Sequence, residues 1–327
     1  MNNSQISPNV SVIIPCYNCE KWIENCLGAL ENQTYRDFEV ICVDDCSTDD
    51  TYKIIEMYQG KSSLRLFLMK NETNLGPAIS RNSAAAIAKG KWLAFCDSDD
   101  RYDETFLEEM VTSAEQNSSE LVMCEYRKIY ETGKKSDEVR YLLPIDDNSS
   151  FADKLVYSKS SLCLLLIKRS IFLANPIPDI RNGEDIACIP CIEARAKKIS
   201  VVKKPLYNYL IRSGSASNKP SEKVYKSLYA AYQHIEKNFP NKYPAVLEYL
   251  GIRTVLYGVT LNAFKAGVSA SVIKKIVADF NAKYPKWKNN RYLSTFSKAK
   301  RIYLQLIGKK MFFCAKILAY VHKNISI

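Results

Sequence analysis

The chain has 327 residues, 47% of them apolar and 25% charged, an ordinary globular composition with length enough for two domains or one domain with a sizeable appendage. The net charge of +11 is unevenly placed: residues 219–327 carry +16 and residues 1–218 carry −5, so a basic back half is expected to meet something anionic unless it is simply a solvated helical face. Eleven Cys, an odd count set mostly in apolar segments (Cys26, Cys42, Cys96, Cys124, Cys163, Cys314), fit a reducing cytoplasm better than a disulfide framework.

Val10–Pro15 is a β-branched run closed by Pro and reads as a buried first strand. A helix is predicted from Cys19 to Glu31, with Trp22, Ile23, Cys26, Leu27 and Leu30 on one face. Phe38–Val43 is a second strand running into Asp44-Asp45, and Ser47-Thr48-Asp49-Asp50 supplies capping chemistry for a helix to Gln59. A strand at Leu64–Leu68, a loop at Asn71–Gly76 and a helix from Pro77 to Lys89 follow. The fourth strand, Lys91–Cys96, precedes a helix over Glu104–Asn117 and a strand over Leu121–Tyr126.

Alternation of this kind predicts an α/β fold, a mostly parallel sheet with helices on both sides. Residues 133–150 read as an irregular excursion, 151–173 as helical or mixed, and 176–184 as a polar loop before another helix. Val201–Leu210 reads as a strand broken by Pro205, and Arg212–Ser217 as a basic turn. Helices are expected near 221–238, 244–265, 269–283 and 298–322. The last is too interrupted by Lys309, Lys310 and Lys316 to span a bilayer; it either lies at a membrane interface or packs on the core. The domain reading is 1–218 for the α/β part and 219–327 for the basic helical region. Met1–Asn9 lacks the apolar segment of a signal peptide.

Leu93-Ala94-Phe95-Cys96-Asp97-Ser98-Asp99-Asp100 is an apolar strand that ends in three carboxylates. A buried parallel strand delivers the residues at its end to the sheet's carboxyl edge, where open α/β folds bind ligands. Asp44-Asp45 also comes directly after a strand, so both clusters are expected on one edge. Asp97 and Asp99 can aim at one point if the chain stays extended there, and oxygen ligands suit Mn2+ or Mg2+ held against phosphates. Taken alone, the cluster reads more readily as an acidic turn before a helix, and the rest of the chain reverses that.

Through these motifs and their order, the chain resembles the family 2 glycosyltransferases of the GT-A (nucleotide-diphospho-sugar transferase) fold. The likeness rests on Val12-Ile13-Ile14-Pro15 with Tyr17-Asn18, on Val43-Asp44-Asp45-Cys46-Ser47-Thr48-Asp49, and on Asn74-Leu75-Gly76-Pro77 with Arg81-Asn82. Phe95–Asp100 and Gly183-Glu184-Asp185 complete it, over roughly the first 215 residues. Cys46 and Cys96 stand where many relatives carry Gly and Leu. The resemblance implies a base pocket of Pro15, Tyr17 and Asp44, with Asn18, Asp45 and Ser98 nearby in the donor site. It places Arg81 against the base or diphosphate, Asp97 on the ribose, Asp99 on the metal, and Asp185 as catalytic base. The Gln-x-x-Arg-Trp motif and spanning helices of processive members are missing, which implies a non-processive enzyme.

A nucleotide diphosphate leaves with charge that a divalent cation can take, and Arg212 in its Gly/Ser loop could close over the phosphates. One base without a protein nucleophile gives single displacement with inversion. The partners expected are a nucleotide-sugar donor, most simply a UDP-sugar, and a glycan or lipid-linked acceptor of the cell envelope. No nucleic acid is expected, and the site is the cytoplasm with peripheral contact to an anionic membrane. Two other readings stand beside this one. A sugar nucleotidyltransferase would want a Gly-rich basic loop after the first strand, where Cys16-Tyr17-Asn18 stands. A nucleic-acid-binding protein would use the Tyr- and Lys-rich tail.

Overall fold

A computed structural model describes residues 7–130, 139–211 and 221–321. By contact the described chain falls into two units, one of residues 7–179 with 192–211, the other of 180–191 with 221–321.

The first unit is built on a sheet. β1 (Val10–Cys16) leads to α1 (Ile23–Glu31), β2 (Phe38–Asp44), α2 (Thr51–Lys61), β3 (Leu66–Lys70), α3 (Pro77–Ile87) and β4 (Trp92–Phe95). β5 (Arg101–Tyr102), α4 (Phe106–Gln116), β6 (Leu121–Tyr130) and β7 (Val139–Tyr141) come next, then α5 (Phe151–Tyr157), β8 (Leu165–Lys168) and α6 (Arg169–Leu173). β9 (Ile199–Ile211) comes last, after α7 (Glu184–Glu193), most of which belongs to the second unit. Among the described residues the strands run in the order β3-β2-β1-β4-β8-β6-β9-β5, with β7 beside β6.

β3, β2, β1 and β4 are mutually parallel, as strand–helix alternation requires. β1 and β2 are buried almost end to end because helices cover both faces. Beyond β4 the sheet is mixed: β8 runs antiparallel to both β4 and β6, while β9 is parallel to β6. The apolar run Leu162–Ile167, read from sequence as helical or mixed, thus forms a short 3-10 turn and then a strand wedged between two others. β9 runs unbroken through Pro205 because the register shifts there, opposite Glu125, and a bulge needs no ladder N–H. Part of the expected excursion at 133–150 pairs as β7.

The second unit contains α8 (Glu222–Asn238), α9 (Pro244–Gly251), α10 (Thr260–Lys265), α11 (Ala270–Lys283), α12 (Lys298–Gly308) and α13 (Phe312–Val321). α9 passes into α10 through wider π-type turns at Ile252–Val259, so 244–265 is one continuous helical stretch. Its core is aromatic. Tyr257 and Tyr303 are fully buried and meet edge to face at 5.6 Å, and the Tyr303 hydroxyl lies 2.8 Å from Thr260 Oγ1. A Cβ at Gly251 would sit 2.6 Å from the Tyr232 hydroxyl, so this close approach admits only glycine. The terminal helix expected over 298–322 is broken at Lys309-Lys310, where Lys310 turns left-handed at φ 59°.

Candidate active site

The parallel register brings the acidic clusters to one edge. Cys16 at the end of β1 is level with Asp44 at the end of β2, and Ile13 is level with Phe95 at the end of β4. Asp44 and Asp97 therefore leave the sheet on either side of the β1 terminus.

The loops after β1 and β2 clasp each other. Asn18 N donates to Ser47 Oγ at 3.0 Å, and Thr48 N donates to Asn18 Oδ1 at 2.9 Å. Both loops turn through left-handed residues, Asn18 at φ 49° and Cys46 at φ 62°. A Gly would hold the second without the cost of about 1–2 kcal/mol that a Cβ incurs there. Asn18 thus sits in the clasp, while Tyr17 before it is 50% exposed and Pro15 is half-buried.

Asp44 is fully buried, yet among the described residues its Oδ2 has no hydrogen-bond partner; Oδ1 accepts a long bond from Ser47 N at 3.4 Å. An orphaned carboxylate oxygen in the interior is costly, and a ligand N–H would relieve it. Asp45 is the reverse case. Its Oδ1 accepts from Asn71 Nδ2 at 2.7 Å and Leu75 N at 2.9 Å, and its Oδ2 from Gly76 N at 2.7 Å. Asp45 therefore folds the Asn71–Gly76 loop into the start of α3, which carries Arg81. Asp45→Ala strands three donors, and a loss of about 2–4 kcal/mol is expected, read as a lowered denaturation midpoint. An unchanged midpoint would show that the loop holds without it.

Arg81 is buried on α3, and its Nη2 donates to Asp97 Oδ1 at 2.7 Å. The chain does not stay extended after β4: Asp100 N donates to Asp97 O at 3.0 Å and closes a turn over Ser98-Asp99. The three carboxylates consequently separate. Asp97 goes to Arg81, Asp99 stands half-exposed on the turn beside half-exposed Ser98, and Asp100 turns inward. Asp100 Oδ2 accepts from the Tyr207 hydroxyl at 2.6 Å and its Oδ1 from Leu210 N at 2.7 Å. Burial pushes the Asp100 carboxyl up to about 8, with the Asp97 charge adding to it and the two donors opposing. Asp97 N also donates to the Tyr207 oxygen at 3.3 Å, so Tyr207 on β9 braces the acidic turn from below. Sequence reasoning missed this brace, for nothing local marks Tyr207. Among the described residues no three or more His, Cys, Asp or Glu converge as a metal cage.

Asp185 belongs to the second unit, half-buried in the first turn of α7. Its neighbour Glu184 accepts from Gly183 N at 3.0 Å, and a Cβ at Gly183 would lie 3.6 Å from the Ala231 Cβ on α8, so this loop rests on that helix. Arg212 lies outside the described residues. All eleven Cys are free thiols.

Residues 11–172 match the family model described as glycosyl transferase family 2. EpsH of Bacillus subtilis, a protein named as a glycosyltransferase, is 30% identical over 236 residues, which cover 69% of this chain and 68% of EpsH. The chain belongs to glycosyl transferase family 2. The poly(ribitol-phosphate) beta-glucosyltransferase of Bacillus spizizenii is 32% identical over 208 residues, 62% of this chain, and the chain spans only 32% of that protein's length. A crystal structure of S. aureus TarS 1-349 in complex with UDP-GlcNAc matches this family 2 glycosyltransferase with a TM-score of 0.70 at 22% identity, over 96% of this chain and 91% of that one. That likeness is one of fold, the GT-A architecture expected from the sequence.

Proposed function

We propose that this family 2 glycosyltransferase moves a sugar from a UDP-sugar to a hydroxyl of a glycan or lipid-linked acceptor in the synthesis of a surface polymer, with inversion at the anomeric carbon. The observation that carries the donor site is Asp44 Oδ2, buried with no partner among the described residues at the sheet edge, where Asp44 is level with Cys16, between Pro15 and the exposed Tyr17 in the chain. A nucleobase stacked on Tyr17 would bring an N–H to that oxygen. The choice of uracil draws on TarS having been crystallised with UDP-GlcNAc. The polymer acceptor draws on the Bacillus spizizenii relative's name.

Asp97, oriented by Arg81, would accept from ribose hydroxyls, and the Arg81 charge would face the base or the diphosphate. The donor set fits a hard cation: such ions take one or two carboxylates and complete their shell with water and substrate phosphate, so a half-exposed Asp99 suffices. Mn2+ or Mg2+ held by Asp99 would supply Lewis-acid charge to the departing diphosphate. Arg212, next in the chain after β9, is assigned the role of a second cation. Asp185 takes the acceptor proton. The free thiols suit a reducing cytoplasm, with the enzyme working at the inner face of the cell membrane.

The test is nucleotide titration by calorimetry, with UDP, GDP and CDP in the presence of Mn2+. UDP should bind most tightly, and Asp44→Ala should weaken it about tenfold to a hundredfold while flattening the preference among bases. Equal affinity for all three bases, or an Asp44→Ala chain that binds as the wild type does, overturns the donor assignment.

A further inference from the structure

α13 packs inward with small residues and outward with large ones. Ala315 and Ala319 are fully buried and the helix lies against α10 and α12. The opposite face presents Phe313 at 76% exposure and Val321 at 73%, with Ile317 and Tyr320 between them also exposed. Their spacing, i, i+4, i+7 and i+8, is a single stripe on a helix, but a stripe that points into water. The helix is fixed in that orientation, because the Tyr320 hydroxyl donates to the Phe264 carbonyl of α10 at 2.9 Å. Lys316 on α13 and Lys309 and Lys310 at the break before it are exposed beside the stripe, as is Met311.

We infer that the outer face of α13, with Lys309, Lys310 and Lys316, is a docking surface for an anionic lipid bilayer. Large apolar side chains that enter the acyl boundary, flanked by lysines at headgroup level, are what an interfacial helix requires. No helix among the described residues is long and apolar enough to cross a membrane, so the contact is peripheral. Charge decides between occupants. Residues 219–327 carry +16, and a second copy of the chain would bring the same charge against itself, whereas an anionic surface complements it. A polyanion without an apolar phase would leave the Phe313–Val321 stripe in water. The two sequence readings of this terminal helix, core-packed and interfacial, are therefore its two faces. The inference rests on the proposed acceptor only for its purpose, that of bringing the enzyme to a lipid-linked substrate.

The full chain is tested by flotation with vesicles of equimolar phosphatidylglycerol and phosphatidylcholine, and with phosphatidylcholine alone. Wild type should float with the anionic vesicles only. Phe313→Ser/Val321→Ser should lower the partition about tenfold. Lys309→Gln/Lys310→Gln/Lys316→Gln should lower it about a hundredfold and flatten its salt dependence. All five side chains are exposed, so the melting temperature and UDP binding should not move, and UDP binding keeps a failure here distinct from a failure of the donor reading. Equal flotation on both vesicles, loss in the lysine variant alone, or a dimer in sedimentation that the apolar variant dissociates would each overturn the inference.

Discussion

Asp185→Asn is expected to lower sugar transfer by about a hundredfold to ten-thousandfold while leaving UDP affinity unchanged. Asparagine keeps the size and one accepting oxygen of the carboxylate, so the first turn of α7 should hold its shape. What it cannot do is take a proton from the acceptor hydroxyl as that oxygen attacks the anomeric carbon. The adjacent carboxylate provides the control. Glu184 is engaged with Gly183 N, a contact that shapes the loop before the helix, and Glu184→Gln retains the oxygen that accepts it. That variant should keep most of its activity. Transfer is read with labelled donor and the product's anomeric configuration by NMR, which should show inversion because a single base serves a single displacement. An Asp185→Asn chain that loses nucleotide binding and transfer together would make Asp185 a structural residue of α7. One that transfers normally would place the base elsewhere.

The acidic rim is legible in the sequence because it arises from local facts. Val10–Pro15, Phe38–Val43 and Lys91–Cys96 are apolar runs closed by Pro or Asp, and parallel strands joined by helices must point the same way. Asp44 and Asp97 then share an edge without any knowledge of side-chain packing. The division of labour among the carboxylates is another matter. Tyr207 reaches Asp100 from 107 positions away, and Arg81 reaches Asp97 from another helix, so neither pairing leaves a periodic signal. The β8 run lies in a stretch, 151–173, that reads as helical or mixed, and its place as a strand is fixed by β4 and β6 on either side of it. The break at Lys309-Lys310 leaves only one local trace, Gly308 at the end of α12, and a single Gly is also tolerated inside a helix.

That division of labour leads to the second large effect. In Asp99→Asn, Mn2+ should no longer tighten UDP binding, metal-free UDP affinity should stay as in wild type, and transfer should fall about a thousandfold. The turn itself sorts the three carboxylates. Asp97 is held by the buried Arg81 at 2.7 Å, and Asp100 is buried beneath Tyr207 and Leu210, whereas Asp99 stands half-exposed at the tip. Asparagine keeps an oxygen there but removes the charge a hard cation needs. Asp97→Asn makes the informative contrast: it takes the charge partner from a buried guanidinium, so it should lower the melting temperature, whereas Asp99→Asn should not. Titrating UDP into both variants with and without Mn2+, alongside melting curves, separates a carboxylate that holds a cation from one that holds an arginine. If Mn2+ still tightens UDP binding to Asp99→Asn but no longer does so for Asp97→Asn, the two roles are exchanged.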